Sequence, residues 1–285
     1  LAAYGLKDKR LYKYLIDMTI INDKGITFNL DAIRFIYDDA YLRTERARMG
    51  DEAFCASVQD WLNDTVVSYL NILSNQHPGV TNLALSGGIS ANIIMSLNIY
   101  ERTPFRNIFV LPFMGDEGVG AGAAILKARK LGKDVLWLKE FTMPYFGDSY
   151  SRDQVKIALD SSSESLIIED LGDNWQQRAA QDLHQKKIIS LFNGKMEFGP
   201  RALGNRSIIA NPTDEKVTDR INASIKRRPW HQPFCPSILE EERKRLFQDS
   251  FSHKHMAIAF RLKEEFRNDL PGATHIDGTA RPQFV

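Results

Sequence analysis

The sequence has few cysteines, no long apolar run and almost no net charge, and each shortage excludes a class of protein. Cys55 and Cys235 are the only cysteines in 285 residues and lack metal-ligand spacing, so we expect free thiols in a reducing cytoplasm rather than a disulfide framework. No apolar stretch reaches the ~18 residues of a membrane span. A net charge of +1 provides no overall attraction to nucleic acid or to membranes.

The length favours two domains, with a boundary in the segment 138–151 that divides the chain into 1–145 and 146–285. The sequence predicts a hairpin over 20–28 and a parallel α/β unit after it, and then a mixed α/β unit. The predicted helices are 51–73, 91–100, 117–131, 151–159 and 174–185. The predicted strands are 82–85, 107–111, 187–192 and 256–262.

Two turns of the first unit follow predicted strands. Gly87 and Gly88 would let a flat ring or ribose lie on the backbone, and Asn92, one helical turn later, could hydrogen-bond that ligand. A tight strand–helix turn with a helix-capping Asn92 explains the same residues equally well. Asp116, after the next strand, could ligate a cation or cap the following helix.

The basic stretch 192–207 is the most informative part of the sequence. It holds Lys195, Arg201 and Arg206 among three glycines, a proline and a serine. Guanidinium groups on a pliant backbone favour a pocket for a small, highly charged anion. A solvated basic turn is the alternative, although apolar side chains would be out of place there. These apolar residues are Phe192, Met196, Phe198 and Leu203.

Further markers accompany this stretch and give the chain its family resemblance. They are Met196 to Ser207, Ile221-Asn222 with Lys226 to Arg228, Pro233-Phe234 with Pro236-Ser237, and His275 to Gln283. With these markers in order, the chain resembles the NodU-type carbamoyltransferases that modify nodulation factors and antibiotics. The similarity covers essentially the whole sequence.

The resemblance implies a fold and a chemistry. The fold is the C-terminal part of an actin/Hsp70-ATPase-like (Kae1-like) domain followed by a mixed α/β YrdC/Sua5-like domain. The YrdC-like part would condense carbamoyl phosphate with ATP, accompanied by Mg²⁺, to give carbamoyladenylate. The Kae1-like part, with Fe²⁺ or another divalent metal, would pass the carbamoyl group to a hydroxyl of a small molecule such as a sugar or natural product.

Because both phosphorylated substrates are polyanions, the reaction needs a cationic cradle. The expected catalytic residues are Arg201, Arg206, Lys226, Arg228 and His275, with His275 either a proton shuttle or structural. Lys226 and Arg228 are expected to share one face of a strand. The expected ligand-binding residues are Gly87, Gly88, Asn92, Lys195, Gly199, Asn205, Ser207, Asn222 and Arg281. The expected metal ligand is Asp116.

The sequence departs from the family pattern in several places. The family's metal site also uses a His-x-x-x-His pair that is missing here, and His253 with His255 fits a strand face instead. Pro229 and Gln232 stand where the family more often has Glu and Arg. We expect a fragment shortened at both ends that is poorly active or inactive by itself.

Two other functions use the same features. One is tRNA threonylcarbamoyladenosine biosynthesis, which would require an electropositive tRNA-binding face that a net charge of +1 disfavours. The other is a non-catalytic ATP-binding module, which leaves the basic stretch unexplained. We expect no nucleic-acid or membrane partner, and the acceptor and the oligomeric state stay open.

Overall fold

The computed structural model describes residues 1–29, 39–162 and 166–285, and it has the mixed α/β character that the sequence predicts. The α-helices are α1 (Lys9–Asp17), α2 (Asp39–Met49), α3 (Asp51–Gln76), α4 (Ile93–Arg102), α5 (Glu117–Lys130), α6 (Arg152–Asp160), α7 (Trp175–His184), α8 (Val217–Arg220), α9 (Arg243–Leu246) and α10 (Glu264–Arg267). None of the helices in these ranges is long and apolar enough to cross a membrane.

The strands pair two by two, and shorter helical turns connect them. The strands are β1 (Thr19–Asn22), β2 (Gly25–Phe28), β3 (Asn82–Leu85), β4 (Asn107–Val110), β5 (Ile189–Phe192), β6 (Arg206–Ile209), β7 (Ser237–Ile238), β8 (Phe260–Arg261), β9 (Thr279–Ala280) and β10 (Gln283–Phe284). The 3₁₀ segments are Ala2–Tyr4, Gly88–Ala91, Leu136–Glu140, Gly172–Asn174 and Glu240–Glu242, and Ile221–Lys226 is a π-helix.

The predicted hairpin and the predicted parallel pair are both confirmed. In the hairpin, Asn22 lies opposite Gly25, so the turn between β1 and β2 has two residues. β3 and β4 are parallel, and α4 provides the crossover between them. The side chain of Asn92 accepts the backbone N–H of Met95, so α4 begins directly after the glycine turn.

The principal hydrophobic core draws side chains from both sides of the predicted boundary. Ile99 of α4 and Val110 of β4 are completely buried in it, together with Phe260 and Phe284 from the other end of the chain. Outside this core, an ion pair joins Arg261 to Glu101, with 2.6 Å between Nε and Oε1. The two halves therefore share one packed interior, whereas the division at residue 145 stays a prediction.

Two strand predictions in the second half differ from the structure. Over 256–262 the prediction is confirmed only in part, because Phe260 and Arg261 form a strand, Leu262 forms an isolated bridge with Phe247, and Met256 at the start of the run has a left-handed backbone with φ +52°. The strand expected over Lys226 to Arg228 is wrong, since Lys226 ends a π-helix and Arg227 has φ +47°. The two cations therefore do not share a strand face.

His253 supplies a pH-dependent part of the folding free energy. Its Nε2 accepts the backbone N–H of Ala257 at 3.1 Å, which requires an unprotonated nitrogen. Burial, with a smaller contribution from His255, lowers the pKa of His253 to about 3. The unfolded chain takes up a proton near pH 6.5, so this stabilisation is complete above that pH and is lost as the pH falls towards 3.

We therefore expect the unfolding free energy of the protein to fall more steeply with acid than that of His253→Gln. The difference in slope should approach ~1.4 kcal/mol per pH unit between pH ~6 and ~4. Urea unfolding at a series of pH values measures it. The exposed His77, replaced by Gln, is the control and should follow the unmodified protein. Equal slopes for His253→Gln and the unmodified protein would contradict the assignment.

Candidate functional site

The basic stretch forms a hairpin whose loop reaches the first unit. β5 and β6 pair antiparallel, with Phe192 opposite Arg206. From the loop between them, Arg201 Nη2 donates to the carbonyl oxygen of Ala91 at 3.4 Å. The loop thus meets the glycine turn that precedes α4.

Gly199 sets the loop against the segment that follows β4. Its φ is +129°, and a Cβ at this position would lie 2.5 Å from the carbonyl oxygen of Pro112. Both the backbone conformation and the close approach require glycine. This packing role accounts for Gly199, and its predicted contact with a ligand stays a prediction.

Three arginines gather around one thiol. Arg281 Nε donates to Cys235 Sγ at 2.7 Å. Burial first, and then repulsion from Arg281, lowers the pKa of Arg201 to about 10, while Cys235 acts in the opposite direction. Burial and Arg281 also lower the pKa of Arg228. We call Arg201, Arg228, Arg281 and Cys235 the arginine cluster.

Within the cluster, the described protein atoms leave one guanidinium donor of Arg201 without a partner. The Nε of Arg201 is covered from solvent and makes no hydrogen bond within the described residues. No ion pair of the described ranges joins any of the three arginines to a carboxylate. A buried, underused guanidinium donor is costly alone and favours a bound anion.

Asn222 organises the segment that carries Arg228. The Asn222 side chain is 1% exposed, and its amide donates to the carbonyls of Trp230 and Gln232 at 3.2 and 3.0 Å. Its Oδ1 accepts from Arg228 Nε at 2.7 Å. The residue therefore orients Arg228, whereas Lys226 at the end of the π-helix is exposed.

Replacing Asn222 with alanine is expected to destabilise the protein by ~2–3 kcal/mol, because two carbonyls and a guanidinium lose their partner. Urea unfolding monitored by tryptophan fluorescence measures the loss. Asn82→Ala is the matched control, since Asn82 pairs with Asn107 at an exposed position. Its effect should stay within ~0.5 kcal/mol. A loss for Asn222→Ala no larger than the control would contradict the role of Asn222.

A cavity of about 270 Å³ adjoins the cluster. Ile93 and Ile94 of α4 form part of its wall together with Phe234, and His275 and Arg281 provide polar groups. Arg281 belongs to both the cavity and the cluster, so it places one guanidinium group at the wall of the cavity. Such a site suits a ligand that has a ring at one end and an anion at the other.

His275 lines this cavity and is held by its own turn. Its Nδ1 lies 3.2 Å from Asp277 Oδ1, and its backbone N–H donates to the Thr279 carbonyl at 2.9 Å. Burial opposes ionisation of Asp277, but hydrogen bonds from His275 and Thr279 outweigh it and lower the Asp277 pKa to about 2. Asp277 therefore orients the His275 ring, and proton transfer by His275 stays a prediction.

The other predicted residues of the basic stretch make contacts local to the hairpin. The Arg206 guanidinium lies 3.6 Å over the Phe192 ring and donates to the carbonyls of Asn193 and Gly194 at 2.7 and 3.3 Å. The other three residues also make their contacts within the hairpin. Lys195 is exposed, and its carbonyl accepts from the Asn205 side chain at 2.6 Å. The Ser207 hydroxyl accepts from the Gly204 N–H at 3.0 Å. The hairpin thus organises itself with these groups and brings Arg201 alone of its cations into the cluster.

The glycine turn of the first unit is open on one side. Gly87 has φ +92°, and a Cβ at Gly87 or Gly88 would meet no atom within 4 Å. Asn92 is occupied by the protein, since it caps Met95 and its Nδ2 donates to Gln59 Oε1 at 2.9 Å. The capping explanation therefore describes Asn92, and the open glycines leave space for a ligand.

Asp116 is exposed at the start of α5 and does not cap the helix through its side chain. Across the described ranges, no group of three His, Cys, Asp or Glu side chains is placed to hold a metal ion. A single exposed carboxylate is insufficient for Fe²⁺, which takes several ligands. The residues present do not fit a complete metal site.

Two residues that the structure places at the site, Cys235 and Glu197, were not predicted as site residues. Cys235 touches Arg281, and its position within the Pro233-to-Ser237 marker was the available signal. Glu197 is a buried carboxylate in the same loop as Arg201, inside the Met196-to-Ser207 marker. An acidic residue within a basic, glycine-rich stretch is the pattern that could have indicated it.

Two family models match this chain. Residues 2–125 match the family model "Carbamoyltransferase N-terminus", and residues 180–285 match "Carbamoyltransferase C-terminus". The chain belongs to the carbamoyltransferase family. The second match contains all the residues of the arginine cluster, and the first contains the open glycine turn and Asp116.

Relatives of this carbamoyltransferase chain include nodulation proteins. An uncharacterized protein of Methanocaldococcus jannaschii is 52% identical over 100% of this chain and 47% of its own length. Nodulation protein NolO of Bradyrhizobium diazoefficiens is 32% identical over 100% of this chain and 53% of its own. Nodulation protein U of the same species is 27% identical over 90% of this chain and 43% of its own. The chain therefore spans about half the length of these relatives.

Proposed function

We propose that this chain is part of an ATP-dependent O-carbamoyltransferase that makes carbamoyladenylate at the arginine cluster. The convergence of Arg201, Arg228 and Arg281 beside a cavity carries the proposal. Carbamoyl phosphate and ATP repel each other, so their reaction requires cations that hold both sets of phosphates. Three guanidinium groups without carboxylate partners in the described residues suit that task.

In this proposal the phosphoryl groups lie at the arginine cluster, and the nucleotide ring lies in the cavity. The Nε donor of Arg201 makes no hydrogen bond within the described residues, which supports a phosphoryl oxygen as its partner. The apolar wall of Ile93, Ile94 and Phe234 suits the ring of a nucleotide, with Arg281 at the phosphate end. Asn222 holds Arg228, so that guanidinium is pre-oriented before substrates bind.

The proposed reaction has two stages, formation of carbamoyladenylate and transfer of the carbamoyl group. Water releases phosphate from carbamoyl phosphate and leaves carbamate, whose oxygen displaces pyrophosphate from the α-phosphorus of ATP. The hydroxyl of a small-molecule acceptor, a sugar or natural product, then attacks the carbonyl carbon, and AMP leaves. The arginines stabilise charge on the phosphoryl oxygens in the first stage.

The proposed reaction would involve two kinds of divalent metal ion. Mg²⁺ would enter with ATP. A divalent metal of the Fe²⁺ type at Asp116 would need further ligands from outside the described residues. The open Gly87–Gly88 turn lies near the arginine loop through Arg201 and Ala91, which supports a second ligand site on the first unit.

The test is exchange of labelled pyrophosphate into ATP, measured on the natural protein that carries this sequence. We expect exchange that depends on carbamoyl phosphate, because carbamoyladenylate formation is reversible. Exchange that proceeds equally without carbamoyl phosphate, or no exchange at all, would contradict the proposal. Addition of tRNA should leave the rate unchanged.

A further inference from the structure

We propose that Glu197 is a positioning residue, which fixes Arg201 by gathering backbone N–H groups of the turn that carries it. The inference rests on the proposed function, because it concerns the same anion site. Arg201 lies between Glu197 and Leu203 in the sequence, so a link between those two residues closes the turn around it. Glu197 is 9% exposed and lies within the protein rather than in solvent.

The Glu197 carboxylate accepts hydrogen bonds from three backbone N–H groups. Its Oε1 accepts the backbone N–H groups of Leu203 and Asn205 at 2.7 and 2.8 Å. The N–H of Arg206 lies 3.2 Å from Oε1 and 3.1 Å from Oε2. Hydrogen bonds to a charged acceptor are stronger than those between neutral groups, so this carboxylate holds the far end of the turn firmly.

Backbone N–H groups, and not the arginine cluster, stabilise the negative charge of Glu197. Burial opposes its ionisation, but the bonds from Leu203, Asn205 and Arg206 outweigh burial and lower its pKa. No ion pair of the described ranges joins Glu197 to the arginine cluster. An ionised carboxylate therefore shapes the loop without neutralising the guanidinium groups that an anion would need.

The turn is also held from its other side. The carbonyl of Leu203, which is 2% exposed, accepts from the Tyr145 hydroxyl at 2.7 Å and from Gln283 Nε2 at 3.2 Å. Tyr145→Phe removes one of these bonds but leaves the carboxylate in place. It therefore separates a general weakening of the turn from the specific loss of Glu197.

The experiment compares Glu197→Gln with Arg201→Gln, Tyr145→Phe and the exposed control Glu265→Gln. In Glu197→Gln an amide NH₂ replaces one acceptor and faces N–H donors. Inorganic phosphate is titrated by calorimetry at a temperature at which every variant is folded. We expect Glu197→Gln and Arg201→Gln to bind phosphate at least about tenfold more weakly, Tyr145→Phe within about twofold of the unmodified protein, and Glu265→Gln unchanged.

The outcomes separate the two ideas. Unchanged phosphate affinity in Arg201→Gln overturns the proposed anion site. Weakened binding in Arg201→Gln with unchanged affinity in folded Glu197→Gln overturns the positioning role alone, since a merely structural residue changes the melting temperature and not the affinity of the folded protein. If Glu197→Gln does not fold, Glu197→Asp replaces it, because Asp keeps the charge but is too short to reach every donor. Unchanged affinity in Glu197→Asp then overturns the inference, and an about threefold loss supports it.

Discussion

Replacing Arg201 with alanine is expected to reduce carbamoyl phosphate-dependent formation of adenylate by at least about 100-fold. Arg201 supplies a shielded Nε donor that has no acceptor in the described residues, and in the proposed function a substrate oxyanion accepts from it. Its positive charge is partly buried beside Arg281, which opposes it. The loss should therefore appear in the chemical step, measured by pyrophosphate exchange with saturating substrates.

The same substitution should leave the protein at least as stable as before, because it removes a buried cation and its repulsion. Urea unfolding checks this expectation and shows whether a loss of activity reflects unfolding. Arg152→Ala is the matched control, since the Arg152 side chain is 85% exposed and should not affect exchange. Exchange that survives in Arg201→Ala, or an equal loss in Arg152→Ala, would contradict the site.

Gly199→Ala is expected to cost ~3 kcal/mol of folding free energy, the largest stability effect of any substitution considered. The new Cβ would lie 2.5 Å from the Pro112 carbonyl oxygen, and the backbone there has φ +129°. Collision and an unfavourable backbone conformation each contribute ~1–3 kcal/mol. Thermal and urea unfolding measure the change.

Gly120→Ala is the control, because it is expected to change the stability in the opposite direction. Gly120 lies within α5, and a Cβ there would meet no atom within 4 Å. Alanine in an unobstructed helix position should stabilise the protein by ~0.5–1 kcal/mol. If both substitutions had the same sign, the close packing of Gly199 on Pro112 would not be a determinant of stability.

The sequence predicted those elements whose signals are local. The hairpin of β1 and β2 has a two-residue turn with Gly25 after it, and α6 begins with a capping box between Ser151 and Gln154. Both depend on residues a few positions apart. The parallel pairing of β3 with β4 followed from the alternation of strand and helix.

The failures arose where burial and backbone conformation depend on distant residues. The run 256–262 is apolar enough for a strand, but aromatic packing buries it, and Met256 turns the backbone to φ +52°. Likewise, periodicity cannot indicate the π-helix that ends at Lys226, in which the Asn222 side chain bonds the carbonyl of Trp230 beyond the helix. In both cases tertiary contacts outweigh local pattern.

The site was predicted only in part, because contacts between residues far apart in the sequence form it. Arg201, Arg228 and Arg281 were named from sequence markers, and the structure brings them together, whereas it places Arg206 and Lys195 in contacts within the hairpin. No sequence rule connects Cys235 to Arg281, which is 46 residues away. Whether each residue acts on substrate stays a prediction.

The common interior of Ile99 and Phe260 has a consequence for genetics. A lesion that loosens packing near one end of the polypeptide will disturb side chains contributed by the other. Phenotypes mapped to either half therefore do not, from position alone, identify which of the proposed reaction steps has been damaged. Separating the two proposed steps will require alleles that change a single functional group and leave the shared interior intact.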